Sequence, residues 1–128
     1  MKPIFDHRAN HDLKINYNTI KGDFIFEDFV KNLDEVVHNP EYIDSYNILV
    51  DIREVNFVDF MKNLSILIDY IQDKLSFFNM NRKCSFITIK PLDVVYATLM
   101  IKRLQSIGIK MKFQVFYSEA AALSWMSI

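Results

Sequence analysis

The stretch that decides the fold is Tyr46-Asn47-Ile48-Leu49-Val50-Asp51-Ile52-Arg53. Ile48, Val50 and Ile52 fall on one side of an extended chain; Asn47, Leu49, Asp51 and Arg53 fall on the other. The run ends on a charged pair and leads into an amphipathic segment. Working outward, segments of two-residue period alternate with segments of helical period. That pattern predicts a mostly parallel sheet joined by right-handed crossovers.

Upstream, Ile4 to Arg8 is a short strand candidate and Asn10-His11-Asp12 a turn. Leu13, Ile15, Tyr17 and Thr19 alternate with polar residues, which predicts the second strand of a hairpin ending near Gly22. Asp23 is placed to cap a first helix, with Glu27 and Asp28 in its first turn and Asn39-Pro40 as its stop. Downstream, Asp59 is placed to cap a helix of about five turns with an inner stripe of Met61, Leu64, Leu67, Ile68, Ile71 and Leu75. Asn79 to Lys83 is a polar break. Cys84 to Ile89 is the next strand. Pro91 opens a third helix whose inward residues are expected to be Leu92, Val95, Tyr96, Leu99, Met100 and Leu104. Gly108 closes it. Met111, Phe113 and Val115 alternate in the last strand, and Ser118 caps a final short helix. The expected order is β-β-α-β-α-β-α-β-α within one domain spanning 1–128.

Strands covered by helices on both faces read as continuous apolar runs. Several strands here alternate instead, which places the helices mainly on one face. The other face is then expected to be open, polar at its margins and apolar at Leu49 and part of the 84–89 strand, a surface suited to a dimer or protein partner.

Composition narrows the function classes. The chain has 128 residues, 51% of them hydrophobic, with only 2 Gly and 3 Pro, so it can bury a core and is not disordered. A net charge of −1 argues against a nucleic-acid binder. One cysteine excludes an internal disulfide and fits a cytoplasmic protein. There is no apolar signal core and no run of membrane-spanning length. Charge is polarised along the chain: 6 Lys/Arg against 12 Asp/Glu through Asp59, then 9 against 4.

Three stretches then point to a family. Ile48-Leu-Val-Asp-Ile-Arg-Glu-Val-Asn-Phe-Val-Asp59 resembles the strand of STAS domains, the anti-sigma factor antagonist (SpoIIAA-like) group. The segment from Lys21-Gly22-Asp23 to Asn39-Pro40-Glu41-Tyr42 and the ending Val115 to Trp125 are similar to a subgroup that also resembles CRAL-TRIO lipid-transfer domains. The resemblance covers most of residues 13 to 126. It implies a SpoIIAA-like β-α superhelix: a mostly parallel five-stranded sheet with an antiparallel N-terminal edge strand. It departs at one place. Antagonists of this family carry Asp-Ser-Ser-Gly where this chain reads Asp59-Phe60-Met61-Lys62, so no hydroxyl stands there to be phosphorylated. Ser65, further along the helix, is a poor substitute.

Candidate sites follow from topology. In open α/β sheets ligands bind at the carboxyl ends of the strands, which singles out Asp51, Arg53, Asp59, Thr88 and Lys90 as ligand- or partner-binding residues. Local ion pairing and capping is the competing explanation. Met61, Tyr96 and Met100, with Tyr70, Phe77, Phe78, Met80 and Trp125, could line an apolar pocket of the kind the CRAL-TRIO likeness implies; core packing competes. His7, His11 and His38 lack a metal-binding pattern. Cys84 reads as a core thiol rather than a nucleophile. Arg82-Lys83 and Lys102-Arg103 read as solvated basic pairs. No nucleophile–base pair and no cofactor motif is present, so the sequence reads as a non-catalytic STAS-like binding or regulatory module, with a carrier or sensor of an apolar, lipid-like small molecule as the alternative.

Overall fold

In the computed structural model, which describes residues 2–78 and 81–128, five strands form one sheet in the order β1-β2-β3-β4-β5. β1 (Ile4–Asn10) and β2 (Ile15–Phe24) are antiparallel. β3 (Asn47–Phe57), β4 (Lys83–Ile87) and β5 (Lys112–Phe116) continue parallel to β2. The opening stretch is therefore the middle strand of an α/β sheet with an antiparallel N-terminal edge. The turn between β1 and β2 closes at Lys14, in the left-handed region, and on the Asn10 carboxamide, which accepts from the Leu13 N–H at 3.0 Å.

β3 runs four residues beyond Arg53. Thr19 pairs with Asp51 and Lys21 with Glu54, so β3 carries one extra residue there, a bulge. The bulge shifts the alternation by one. Ile48, Val50 and Ile52 face the main core, and so do Val55 and Phe57 after it.

Four helical elements follow the pattern: α1 (Phe26–Val37), α2 (Phe60–Asp73) with the one-turn α3 (Leu75–Phe78), and α4 (Pro91–Ser106). Their apolar stripes and the sheet enclose the main core. The helix expected to run about five turns thus breaks at Lys74. Pro91 does open α4, and Gly108 (φ +85°) follows its end.

Several local expectations are corrected. Asp23 lies within β2, and α1 begins after Ile25 with no side-chain cap. Met61 is not inward: it is 64% exposed, and Phe60 is buried in its place. On α4 the buried stripe is Asp93, Ala97, Met100, Ile101 and Leu104, leaving Leu92 and Val95 exposed. Packing, not hydropathy, selects the helix face: the small Ala97 is buried where hydropathy alone favours Leu92.

The opposite face carries one helix, α5 (Glu119–Met126). Ser118 caps it, accepting from the Ala121 N–H at 3.2 Å. Ala122 and Met126 pack on Ile15, Tyr17, Leu49 and Ile87, forming a second, smaller core. Leu49 and Ile87, 2% and 0% exposed, are thus not an open partner surface. Ala122 permits the close approach because it carries no bulk beyond Cβ.

Candidate functional site

The carboxyl ends of β3 and β4 hold the polar residues singled out by topology. Asp51 and Arg53 share one face of β3, two residues apart. The Arg53 Nε donates to Asp51 Oδ1 at 3.0 Å and Nη2 to Oδ2 at 2.7 Å, a bidentate pair, while the Arg53 backbone N–H adds 3.1 Å to Oδ1. Burial alone would raise the Asp51 carboxyl; the Arg53 hydrogen bonds and charge, with Lys21, outweigh it and hold the carboxyl below its ordinary value. Lys21 also pairs with Glu54 at 3.2 Å. Lys90 donates from Nζ to the Val55 carbonyl at 2.8 Å, tying the β4–α4 junction to β3.

Asp59 precedes α2 in a left-handed conformation (φ 50°, ψ 43°), and its side chain makes no cap bond. Thr88 is fully buried, and its Oγ1 has no partner among the described residues. The buried Asp93 Oδ2 is likewise unpartnered, and burial raises that carboxyl against the opposing pull of Lys90. The cations at this end are therefore already engaged: Arg53 by a carboxylate, Lys90 by a carbonyl.

The same end collects exposed apolar side chains. Met61 sits in the first turn of α2, Ile89 and Leu92 at the β4–α4 junction, Val95 one turn on, and Tyr117 between β5 and α5. Sequence reasoning missed this patch because it assigned Met61, Leu92 and Val95 to the core.

The three residues expected to line an apolar pocket do not come together in one. Met61 is exposed. Tyr96 stacks on Phe60 with centroids 4.5 Å apart, beside Phe57. Met100 is buried within the core. Of the wider set, Tyr70 donates to Asp34 Oδ1 at 2.9 Å, Trp125 packs on Phe116 across the sheet, and Met80 lies outside the described residues. A cavity of about 100 Å³ does exist between the sheet and the helices, towards the other end of the strands. Its wall includes Phe29, Leu33, Tyr42, Phe78, Cys84 and Leu104. Cys84 is buried in it, and burial pushes the thiol up to about 12 while Arg82 pulls the other way. That thiol is no nucleophile near neutral pH.

Arg82, two residues before Cys84, is 5% exposed, not the solvated residue its basic neighbour Lys83 led us to expect. Its Nη1 donates to the Tyr42 hydroxyl at 2.6 Å and the Asp44 carbonyl at 2.7 Å. Burial raises the Tyr42 phenol; the charge and hydrogen bond of Arg82 oppose it. Lys83 caps α5 from the other strand face, donating to the Trp125 and Ile128 carbonyls at 3.0 and 2.9 Å. The histidines are dispersed: His7 contacts Asn16 at 3.4 Å, His11 the Tyr46 hydroxyl at 3.0 Å, and His38 the Asp34 carbonyl at 2.7 Å. Among the described residues, no group of three or more His, Cys, Asp or Glu side chains could hold a metal. No helix among them is long and apolar enough to cross a membrane.

No protein-family model matches the sequence, and no curated protein does. Among solved structures, the chain is similar to an uncharacterized protein of the DUF3478 family from Shewanella loihica PV-4, which has a SpoIIAA-like fold. The identity is 15% and the TM-score 0.59, over 97% of this chain and 93% of that one. The likeness runs nearly end to end, and this chain has a five-stranded sheet with one antiparallel edge; its fold is SpoIIAA-like, as its β3 stretch through Asp59 had implied.

Proposed function

We propose that the chain is a non-catalytic STAS-like binding module that presents the carboxyl end of its sheet to a protein, either a partner or a second copy. The observation that carries this reading is the gathering of Met61, Ile89, Leu92, Val95 and Tyr117 at that end, exposed by 52% or more each. Exposed apolar side chains grouped at one end, with charges around them, are the usual composition of a contact surface. Asp59, Asp51, Arg53 and Lys90 stand at the same end and would set orientation more than affinity. Regulation by phosphate on the first turn of α2 is not part of the reading, since Phe60-Met61-Lys62 offers no hydroxyl. Sedimentation of the purified chain over a concentration series, with cross-linking in host extract, tests it. Association is expected, and Leu92→Glu with Val95→Glu should abolish it. Neither self-association nor a partner that is lost in this variant would remove the proposal.

A second reading has its own observation. The 100 Å³ space beside Tyr42 and Cys84 is walled almost wholly by apolar side chains, which favours a small carrier or sensor of an apolar ligand. Native mass spectrometry of protein purified from its host should then show an added small-molecule mass. A bare polypeptide mass would speak for the contact module alone.

A further inference from the structure

The cavity between the sheet and the helices differs along its length. Residues of all five strands border it, so it runs across the sheet from β1 towards β5. Towards β5 its wall is apolar: Phe86, Leu104, Ile109, Met111 and Phe113. Towards β1 two carboxamides stand in the wall, Asn18 on β2 and Asn32 on α1.

Both lie on rows that face inward. Asn18 is two residues before Ile20, which belongs to the main core, and side chains two apart share one face of a sheet. Asn32 comes three residues after Phe29 and four before Val36, the spacing of one helix face, and both of those border the cavity. Asp6 and Thr19 also border it, but they pair across β1 and β2 on the alternate row, so their side chains fall on the opposite face of the sheet.

The neighbouring Asn16 shows a carboxamide used by the fold. It is fully buried, its Nδ2 donates to the Ile43 carbonyl at 2.7 Å, and its Oδ1 accepts from the Ile43 N–H at 3.4 Å. Asn18 and Asn32 are half-buried and make no side-chain hydrogen bond among the described residues. Tyr42, also in this wall, has its hydroxyl engaged by Arg82.

The same side of the cavity meets the surface. A depression lined by Lys2, Asp28, Lys31 and Glu35 shares Phe5 and Asn32 with the cavity wall. Both shared residues are half-buried, so they stand between the two spaces. Two cations and two carboxylates around the depression favour neither sign of charge in what approaches.

We infer that the cavity takes a small uncharged molecule with one polar end, a primary amide or an alcohol, which enters past Phe5 and sets that end on Asn18 and Asn32 with its body directed towards β5. The inference rests on the second reading above, that this cavity takes an apolar ligand. A carboxamide both donates and accepts, which suits a hydroxyl or an amide. It offers no counter-charge to an ion, whose desolvation would go uncompensated. A dry cavity of about 150 Å³ takes benzene. The 100 Å³ here therefore limits the body to about four carbons.

The test is an NMR titration of the full chain, labelled at side-chain amides and methyl groups. The probes are 2-methylpropanamide and 2-methylpropan-1-ol, the ions 2-methylpropanoate and 2-methylpropylammonium, and xenon, which has no polar end. The amide or the alcohol should shift the Asn18 and Asn32 side-chain resonances saturably, with both ions about 10-fold or more weaker. Xenon should shift the Leu33 and Leu104 methyl groups. Asn18→Leu combined with Asn32→Leu should weaken the amide and the alcohol by about 10-fold and leave xenon unchanged. Xenon binding without the amide or the alcohol, or ions binding as tightly as either, would overturn the polar end and leave the cavity reading standing. No binding by any probe would overturn both. The neutral-to-ion ratio is read on the unmodified chain, so the outcome is decided even if the double variant does not fold.

Discussion

The two ends of the sheet each carry an arginine, and they are arranged in opposite ways. At the carboxyl end of β3, Arg53 is part exposed, and its bidentate edge is closed by Asp51, two residues away on the same strand. At the amino end of β4, Arg82 is buried, reaches 40 residues back to Tyr42, and keeps its bidentate edge without an acceptor among the described residues. The first pair is local, satisfied and wet, which is the description of a pair that trims geometry. The second is non-local and dry, held at Nη1 and over the Tyr42 ring but with one edge unpartnered among the described residues. Charge alone therefore does not distinguish the two arginines; the state of the guanidinium edge does.

The comparison is broken most directly at Tyr42. Tyr42→Phe removes the hydroxyl that accepts from Nη1 and leaves a buried charged donor with only the Asp44 carbonyl. Losing the partner of a buried donor costs about 1–3 kcal/mol. Urea unfolding should show that loss. A change below a few tenths of a kcal/mol would mean that the guanidinium at this end is as well hydrated as Arg53.

The Asp51 pair should matter less. Asp51→Asn is expected to cost about 1 kcal/mol or less at neutral pH, because the Arg53 side chain is 41% exposed and water screens the pair. The pH dependence gives the sign. The folded carboxyl lies below its unfolded value, so its contribution is fully present above the unfolded value, near 3.9, and is lost as pH falls through the folded one. Stability curves of the wild type and Asp51→Asn should thus be separated near neutrality and converge below about pH 4. Curves that stay parallel into acid would show that the pair contributes nothing.

What the sequence made legible divides along the same line. Alternation in Tyr46 to Arg53 located the central strand because side-chain period is a local property. It failed after Arg53 because the bulge moved Val55 and Phe57 into phase with the core, and a bulge is set by the partner strand. The buried face of α4 was misassigned because Asp93 and Ala97 carry no strong hydropathic signal, yet both are buried. Asp51 and Arg53 were visible as candidates by position at a strand end. Arg82 was not: nothing in Arg82-Lys83 separates a solvated pair from a buried guanidinium when its partners lie 38 and 40 residues away. The cavity wall was equally hidden, being assembled from nine elements rather than from one stripe.

Asp59 offers a smaller effect at the carboxyl end. Its left-handed backbone is unfavourable for a residue with a Cβ, and its side chain makes no cap bond that could be lost. Asp59→Gly relieves that strain, offset in part by the greater freedom of glycine when unfolded and by losing a negative charge at a helix start. A net gain of about 0.5 kcal/mol is expected in thermal unfolding. A loss would show that the carboxylate does more for α2 than the static arrangement indicates.

The smallest effect is expected where intuition expects the largest. Arg82→Met deletes a buried cation together with two N–H groups that find no acceptor, and replaces it with an unbranched apolar chain. The groups it abandons are not stranded. Asp44 is exposed, so its carbonyl can turn to water, and Tyr42 is only half-buried. Replacing buried ionic groups by apolar ones is often neutral or stabilising. Unfolding free energy should accordingly stay within about 1 kcal/mol of wild type, less than the cost of Tyr42→Phe. That inversion, in which removing the arginine is milder than removing its hydroxyl partner, is the signature of a cation kept at the expense of stability. If Arg82→Met instead costs more than about 3 kcal/mol, the guanidinium is a structural clamp whose free edge is satisfied in solution, and the contrast with Arg53 disappears.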